Sequence, residues 1–317
     1  MGFIGRRLAI SVLTLFLVSI LSFSAFRLIP GDAALIALGV EATEEQLQSF
    51  RAERGLDRSF GEQYVSWLGN FLSGNLGDSA RFMGVSISGL ITDRLPVTLA
   101  LAGLSFMFII LIAVPVSLLS VKKENSLLDR IVTTLTAINI SVPGFFLGIL
   151  FIWIFGLILR LFVPGAFVSF GESPAAFFGY LIFPALAIAL PNSALVIKFL
   201  RASIFRELQS DYARTAMSKG ASRPHVLRRH VLKNASVPAI TLLGMITGEI
   251  LSGSIVIEQV FGIPGIGMLL LSSITARDYP LIQTLIIYIA FAVILANTLA
   301  DIVLQLIDPR IRLAEKV

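Results

Sequence analysis

The strongest constraint on this chain is a series of apolar runs at residues 8–29, 97–121, 131–163, 177–197, 235–257 and 281–306. About 20 such residues are enough for a helix to cross a bilayer. Only 14% of the residues are charged and 56% are hydrophobic, against about 25% charge in a soluble domain. A chain of 317 residues cannot hide that much apolar surface in one core, so its solvent is lipid and a soluble enzyme is excluded. With their connections, about five to seven spans fit this length.

The first run follows Arg6 and Arg7. A basic stretch before an apolar one also opens a secretory signal, but signal cores are only about 7–15 residues long. Residues 1–30 therefore read as an uncleaved first helix. Residues 31–94 are mixed: Pro30 and Gly31 break the helix, 41–50 and 63–71 carry short amphipathic patterns, and Gly69, Gly74 and Gly77 mark turns. This is an external segment too short and too polar to span. Pro96 is placed to open the second span, with Asp93 just upstream as its cap. The third run is too long for one straight crossing, and Pro143-Gly144 interrupts it, which predicts a kink or break with the main span at 145–162. The fourth run contains Pro184 and Pro191. Residues 198–233 are polar and basic and read as a loop within the core 95–307, and 308–317 form a tail.

Six spans return both termini to one side. Of the 25 basic residues, 17 fall on the side of the N-terminus, whereas 12 of the 20 acids fall on the other. Lys and Arg accumulate in cytoplasmic loops, so both termini are expected in the cytoplasm. The net charge of +5 then reports topology, and no nucleic-acid partner is expected.

The inventory of reactive groups is thin. There is no cysteine, and both histidines, His225 and His230, lie in the basic loop. No G-x-x-x-x-G-K-S/T motif is present to cradle nucleotide phosphates. No catalytic residue, metal site or cofactor of its own is expected. Glu249 lies inside the fifth run, where a carboxylate is costly; it either lines a polar path or makes a buried structural hydrogen bond. Asp301 sits near the cytoplasmic end of the sixth run, where pairing with a loop arginine is expected. The pairs Gly144/Gly148 and Gly244/Gly248 have the spacing that lets helices approach closely.

The most informative stretch is Asp211-Tyr212-Ala213-Arg214-Thr215-Ala216-Met217-Ser218-Lys219-Gly220, a short helix-forming segment closed by glycine. Alone it would be marginal, so it is expected to dock. It resembles the cytoplasmic loop of permease subunits of binding-protein-dependent ABC importers in the dipeptide, oligopeptide and nickel branch. Arg214-Thr215-Ala216 takes the place of that family's E-A-A, Gly220 follows after three residues, and His230 and Leu232 occupy the later I and L places. Lys233 departs from the pattern's proline. Further stretches resemble the branch in order: Arg6-Arg7, Pro30-Gly31-Asp32, Gly55-Leu56-Asp57, Gln63-Tyr64, Trp67-Leu68, Gly74-Asn75-Leu76-Gly77-Asp78-Ser79 and Leu95-Pro96-Val97-Thr98-Leu99. Farther on come Glu258 to Gly267, Arg277-Asp278-Tyr279-Pro280 and Asp308-Pro309-Arg310-Ile311-Arg312. Asn75 and Ala33 replace the usual acid and proline.

The resemblance implies an all-α integral membrane protein, a six-span helical bundle of the type I ABC importer permease kind, in a bacterial or archaeal inner membrane. It implies a second homologous permease, two ABC ATPase subunits that hold ATP and Mg, and an extracytoplasmic substrate-binding protein. Asp211, Tyr212, Ala213, Arg214, Thr215, Ala216, Lys219 and Gly220 would couple to an ATPase subunit. Glu258, Phe261, Pro264, Gly265, Gly267, Asp278 and Tyr279 would face the binding protein. Peptides are the expected cargo, with nickel or a metal chelate as the alternative. A self-contained secondary transporter is the competing class, although no internal repeat of the spans is visible.

Overall fold

The apolar runs fold as helices, and their ends show where sequence patterning gives way to packing. The computed structural model describes residues 3–28, 42–53, 55, 57–82 and 84–307. Pro30-Gly31-Asp32, Ala33, Leu56 and the 308–317 tail lie outside them. Helix α1 (Phe3–Leu28) is followed by the amphipathic pair α2 (Glu44–Glu53) and α3 (Phe60–Leu72). Next come α4 (Ile87–Lys122), α5 (Leu127–Ser141) and α6 (Gly144–Phe151), the last widening into a π-helical stretch through Ile158. Helix α7 (Pro174–Leu208) leads to α8 (Asp211–Ser218) and to α9 (Arg223–Val226), which runs through a π-helical turn into α10 (Leu232–Phe261). The chain then forms α11 (Ile266–Ala276) and α12 (Tyr279–Ile307).

By length and composition α1, α4, α7, the α9–α10 stretch and α12 can each cross a membrane, and the bent pair α5/α6 is apolar enough to form either a broken span or a re-entrant loop. Helix α11 has 11 residues, about 16 Å at the helical rise, too short to cross. It turns back at 82° to the end of α10.

Several expected boundaries are corrected. Pro96 does not open the second span: α4 starts at Ile87, where Ser86 Oγ accepts the Gly89 N–H at 3.2 Å. Pro96 and Pro115 lie inside this 36-residue helix, and Asp93 caps nothing. The break at Pro143 is present, but it is a 101° turn, and the second arm ends at Ile158, short of residue 162. The expected loop 198–233 is almost entirely helical. Leu200, Ile204 and Leu208, at a spacing of four, are buried against Val121, Val226 and Leu227. That buried row carries α7 eleven residues past the predicted end of its span.

The main core lies where α4, α7 and α10 meet, around Leu101, Ile109, Leu181, Ile188, Ile246 and Ile250. The glycine pairs are approach points. A Cβ on Gly144 would sit 3.1 Å from the Ala187 carbonyl oxygen, and one on Gly148 3.1 Å from the Phe261 ring. Gly244 and Gly248 let α10 close on Ala300 and Val293 of α12. Helix α1 joins α12 through an Arg7–Asp301 ion pair at 3.1 Å and a Ser11–Thr298 hydrogen bond at 2.9 Å. Asp301 thus pairs with Arg7 of the first helix, not with a loop arginine.

Helix α3 lies across α1 on an aromatic seam. Phe23 meets Tyr64 and Trp67 at 5.5 Å, and Ser19 and Tyr64 share a hydrogen bond of 2.7 Å. The helix opens with a reciprocal cap, in which Ser59 N–H donates to Glu62 Oε2 at 3.0 Å and Ser59 Oγ accepts the Glu62 N–H. The Ser59 hydroxyl and amide hold the Glu62 carboxyl below the usual glutamate range.

Candidate functional site

Three features follow one another along the second half of the chain: a basic arm, an exposed stripe on α10, and a hairpin pinned by buried carboxylates.

The arm begins where α7 passes beyond its apolar run. After the Gln209-Ser210 turn, α8 lies with Ala213 at 0% exposure in the cluster of Ile204, Leu208, Val226 and Leu227, with Ala216 and Met217 packed beside it. Eight residues do not hold a helix in water, so this face supplies the stability. The opposite face leaves Asp211, Tyr212, Arg214, Thr215 and Lys219 exposed. Tyr212 donates its phenolic hydrogen to Glu207 Oε2 at 2.6 Å; burial, together with that carboxylate, pushes the phenol pKa up. Gly220 ends the helix at φ +89°, and nothing lies within 4 Å of the point a Cβ would occupy, so the glycine is required by backbone conformation and not by space. The Ala221 N–H closes the turn on the Ala216 carbonyl at 3.2 Å. Beyond it, His225, Arg228, Arg229, His230 and Lys233 form an exposed basic surface. Among the described residues no group of three or more His, Asp or Glu is placed to hold a metal ion.

A clasp beneath the arm adds a residue that the sequence patterns did not single out. Asp129 is 5% exposed and accepts from Ser120 Oγ at 2.5 Å and from the Asn125 N–H at 3.2 Å, and Arg201 Nη2 lies 2.9 Å away. It ties the ends of α4 and α5 to α7, where the arm starts. A local signal exists: Ser126-Leu127-Leu128-Asp129 before an apolar run is a helix-start pattern, and Ser126 does cap α5.

The stripe lies on α10, where Thr241, Met245, Glu249, Ser252 and Val256 are exposed while Ile246, Ile250 and Ile257 enter the core. No described residue pairs with the Glu249 carboxylate.

In the hairpin the structure corrects the expectation that its marked residues form an outward face. Glu258, Phe261 and Asp278 are at most 1% exposed, Gly265 and Gly267 are buried, and Pro264 and Tyr279 are partly covered. Glu258 Oε1 accepts from Thr98 Oγ1 at 2.7 Å and Oε2 from the Met268 N–H at 3.0 Å, while Thr98 Oγ1 accepts the Ile266 N–H at 2.8 Å. Helix α11 has no side-chain cap of its own; the carboxylate satisfies its open N–H groups and its positive end from across the bend. Gly265 leaves the space that the carboxylate fills.

Asp278 does the same for α12, accepting the Leu281 N–H at 3.3 Å. It also accepts from Ser79 Oγ at 2.5 Å and from the Arg81 N–H at 3.2 Å, which anchors the Gly77–Ser79 turn. Asp278→Ala is expected to destabilise the chain by about 3 kcal/mol, since each hydrogen bond to a charged group is worth about 1.5–3. Asp278→Asn, which keeps an acceptor oxygen, should lose less. Thermal unfolding of both variants in detergent tests this, and equal, unchanged midpoints would remove the anchor.

Comparison with known proteins covers almost the whole chain. Residues 113–313 match the family described as "Binding-protein-dependent transport system inner membrane component", and residues 1–102 match its N-terminal companion, "Binding-prot-dependent transport system membrane comp, N-term". The chain belongs to this family. It is a multi-pass inner-membrane permease of the dipeptide/oligopeptide ABC importer type. A probable peptide ABC transporter permease of Sinorhizobium fredii is 36% identical over 310 residues, 98% of this chain and 99% of the relative. A putative peptide permease of Brucella suis is 36% identical over 315 residues, 97% and 98% of the two chains. The oligopeptide transport system permease AppB of Bacillus subtilis is 33% identical over 312 residues, 98% and 99%. The permease role implies ATPase and substrate-binding partners in general, and it places the arm, stripe and hairpin in one transport subunit.

Proposed function

We propose that this permease forms half of a peptide path and transmits the ATPase stroke through α8. The observation that carries the reading is the two-sidedness of α8: Ala213 is fully buried on one face, while Arg214 and Lys219 stand free of the core on the other. A helix seated in its own chain by one face and presenting charge on the other can move as a rigid body with a partner. The partners are a second homologous permease, two ABC ATPase subunits that bind ATP and Mg, and a capture protein outside. This chain binds no cofactor itself. Both termini and the arm face the cytoplasm, in keeping with the excess of Lys and Arg there. The 31–94 segment, the exposed side of the α10–α11 hairpin, including Gln259 and Ile274, and Pro280 at the start of α12 face the capture protein. Peptides are preferred to nickel because the three relatives above are named as peptide or oligopeptide permeases.

Mild-detergent purification of the tagged chain from its host tests the assembly. ATP-cassette subunits and a second permease should co-purify, and the capture protein expressed from the same locus should carry peptide. A chain that purifies alone and moves substrate without ATP would be a secondary transporter and would sink the proposal.

A further inference from the structure

Glu249 belongs to none of the structural networks described above, unlike Asp129, Glu258, Asp278 and Asp301. It lies inside the apolar run 235–257, it is exposed, and no described residue pairs with it. A charge turned to hydrocarbon is strongly disfavoured, so an intramembrane carboxylate faces a polar or water-filled space. A second observation places a polar cleft along the same stripe. A cleft of about 410 Å³ opens beside the stripe, lined by Arg7, Thr241, Met245, Asn297 and Asp301 among others. The Asn297 amide lies over Gly248, its Oδ1 3.3 Å from where a Cβ would be. Met245 and Thr241, which line this cleft, share the exposed stripe with Glu249, one and two turns away along α10. Asp301 is already matched by Arg7 at 3.1 Å. Glu249 gives the stripe its unmatched negative charge.

We propose that Glu249 is a specificity-determining residue of the path, favouring peptides with added positive charge over peptides with added negative charge. This rests on the peptide reading and refines it. The carboxylate attracts a passing ammonium or guanidinium and repels a passing carboxylate, so part of the charge selection occurs in the permease, after the capture protein has released its cargo.

The test uses the complete importer, with its ATPases, partner permease and capture protein, in proteoliposomes. Initial uptake rates are compared for a tripeptide of alanines with lysine at its middle position and for its glutamate counterpart, each at a concentration that saturates the capture protein. In Glu249→Gln the lysine-to-glutamate rate ratio should fall by up to about thirtyfold, because one close charge pair contributes about fivefold in a water-like medium and the lost attraction and lost repulsion multiply. Glu249→Asp should keep the wild-type ratio. Adding Ser252→Asp to Glu249→Gln should restore it, because Ser252 shares the exposed stripe; a purely structural role for Glu249 would not respond to this relocation. A ratio unchanged in Glu249→Gln, or one that the relocated carboxylate fails to restore, overturns the charge preference while leaving peptide transport intact. A wild-type importer that moves neither peptide overturns the peptide reading and this inference with it.

Discussion

Gly267→Ala should abolish peptide uptake while the protein still inserts in the membrane. A Cβ at position 267 would fall on the Ile255 backbone of α10, and also 2.8 Å from Ile255 Cγ1 and 2.9 Å from its Cβ. No rotamer of either residue relieves contact with a helix backbone, so α11 must shift. Overpacking of this kind costs about 1–3 kcal/mol. The shift also separates Ile266 and Met268 from Thr98 and Glu258, leaving a fully buried carboxylate with Thr98 but without its Met268 donor. Losing a buried hydrogen bond to a charged group adds about 1.5–3 kcal/mol. The hairpin then opens on the face assigned to the capture protein. Gly103→Ala in α4, where nothing lies within 4 Å of the added carbon, serves as the control and should transport normally. The measurements are uptake and thermal unfolding of the detergent-solubilised chain. A Gly267→Ala protein with wild-type values for both would remove the argument that α11 is locked.

The spans were legible because the bilayer demands long apolar runs, and the break at Pro143 was legible because proline and glycine have few ways to continue a helix. The errors share one physical origin: local signals do not contain the packing that overrides them. Pro96 has the look of a helix start, yet proline is tolerated inside membrane helices when neighbours satisfy the freed backbone group. The basic residues between 198 and 233 mask the Leu200, Ile204 and Leu208 row, although that row has the spacing of a buried helix face. Glu258 and Asp278 stand out in sequence as acids in a loop. Their partners Thr98 and Ser79 lie 160 and 199 positions away, and no local pattern announces such a contact. Glu249 is the converse case: a carboxylate in an apolar run signals cost whatever it touches, and the structure leaves it exposed on the stripe. The α8 segment stands out through its resemblance to the family, whereas its burial by Ala213 required the fold.

The two faces of α8 should fail in different ways. Ala213→Asp places a carboxylate in a fully buried site lined by Ile204, Leu208, Val226 and Leu227. Burying an unpaired charge there costs more than an eight-residue helix can supply, so α8 lifts from its seat. Its outer face is unchanged, so the ATPase subunits should still bind and hydrolyse ATP, but the stroke would move a detached helix and not α7 and α10. ATP hydrolysis without uptake is the expected phenotype. Arg214→Glu with Lys219→Glu leaves the seat intact and reverses the charge offered outward. There the complex itself should weaken, and more so at low salt, because the repulsion between exposed charges is screened over about 8–10 Å at physiological ionic strength. Co-purification of the ATPases, their hydrolysis rate and peptide uptake, measured on both variants, separate the cases. Coupled uptake at the wild-type rate in Ala213→Asp would show that force does not pass through this seat.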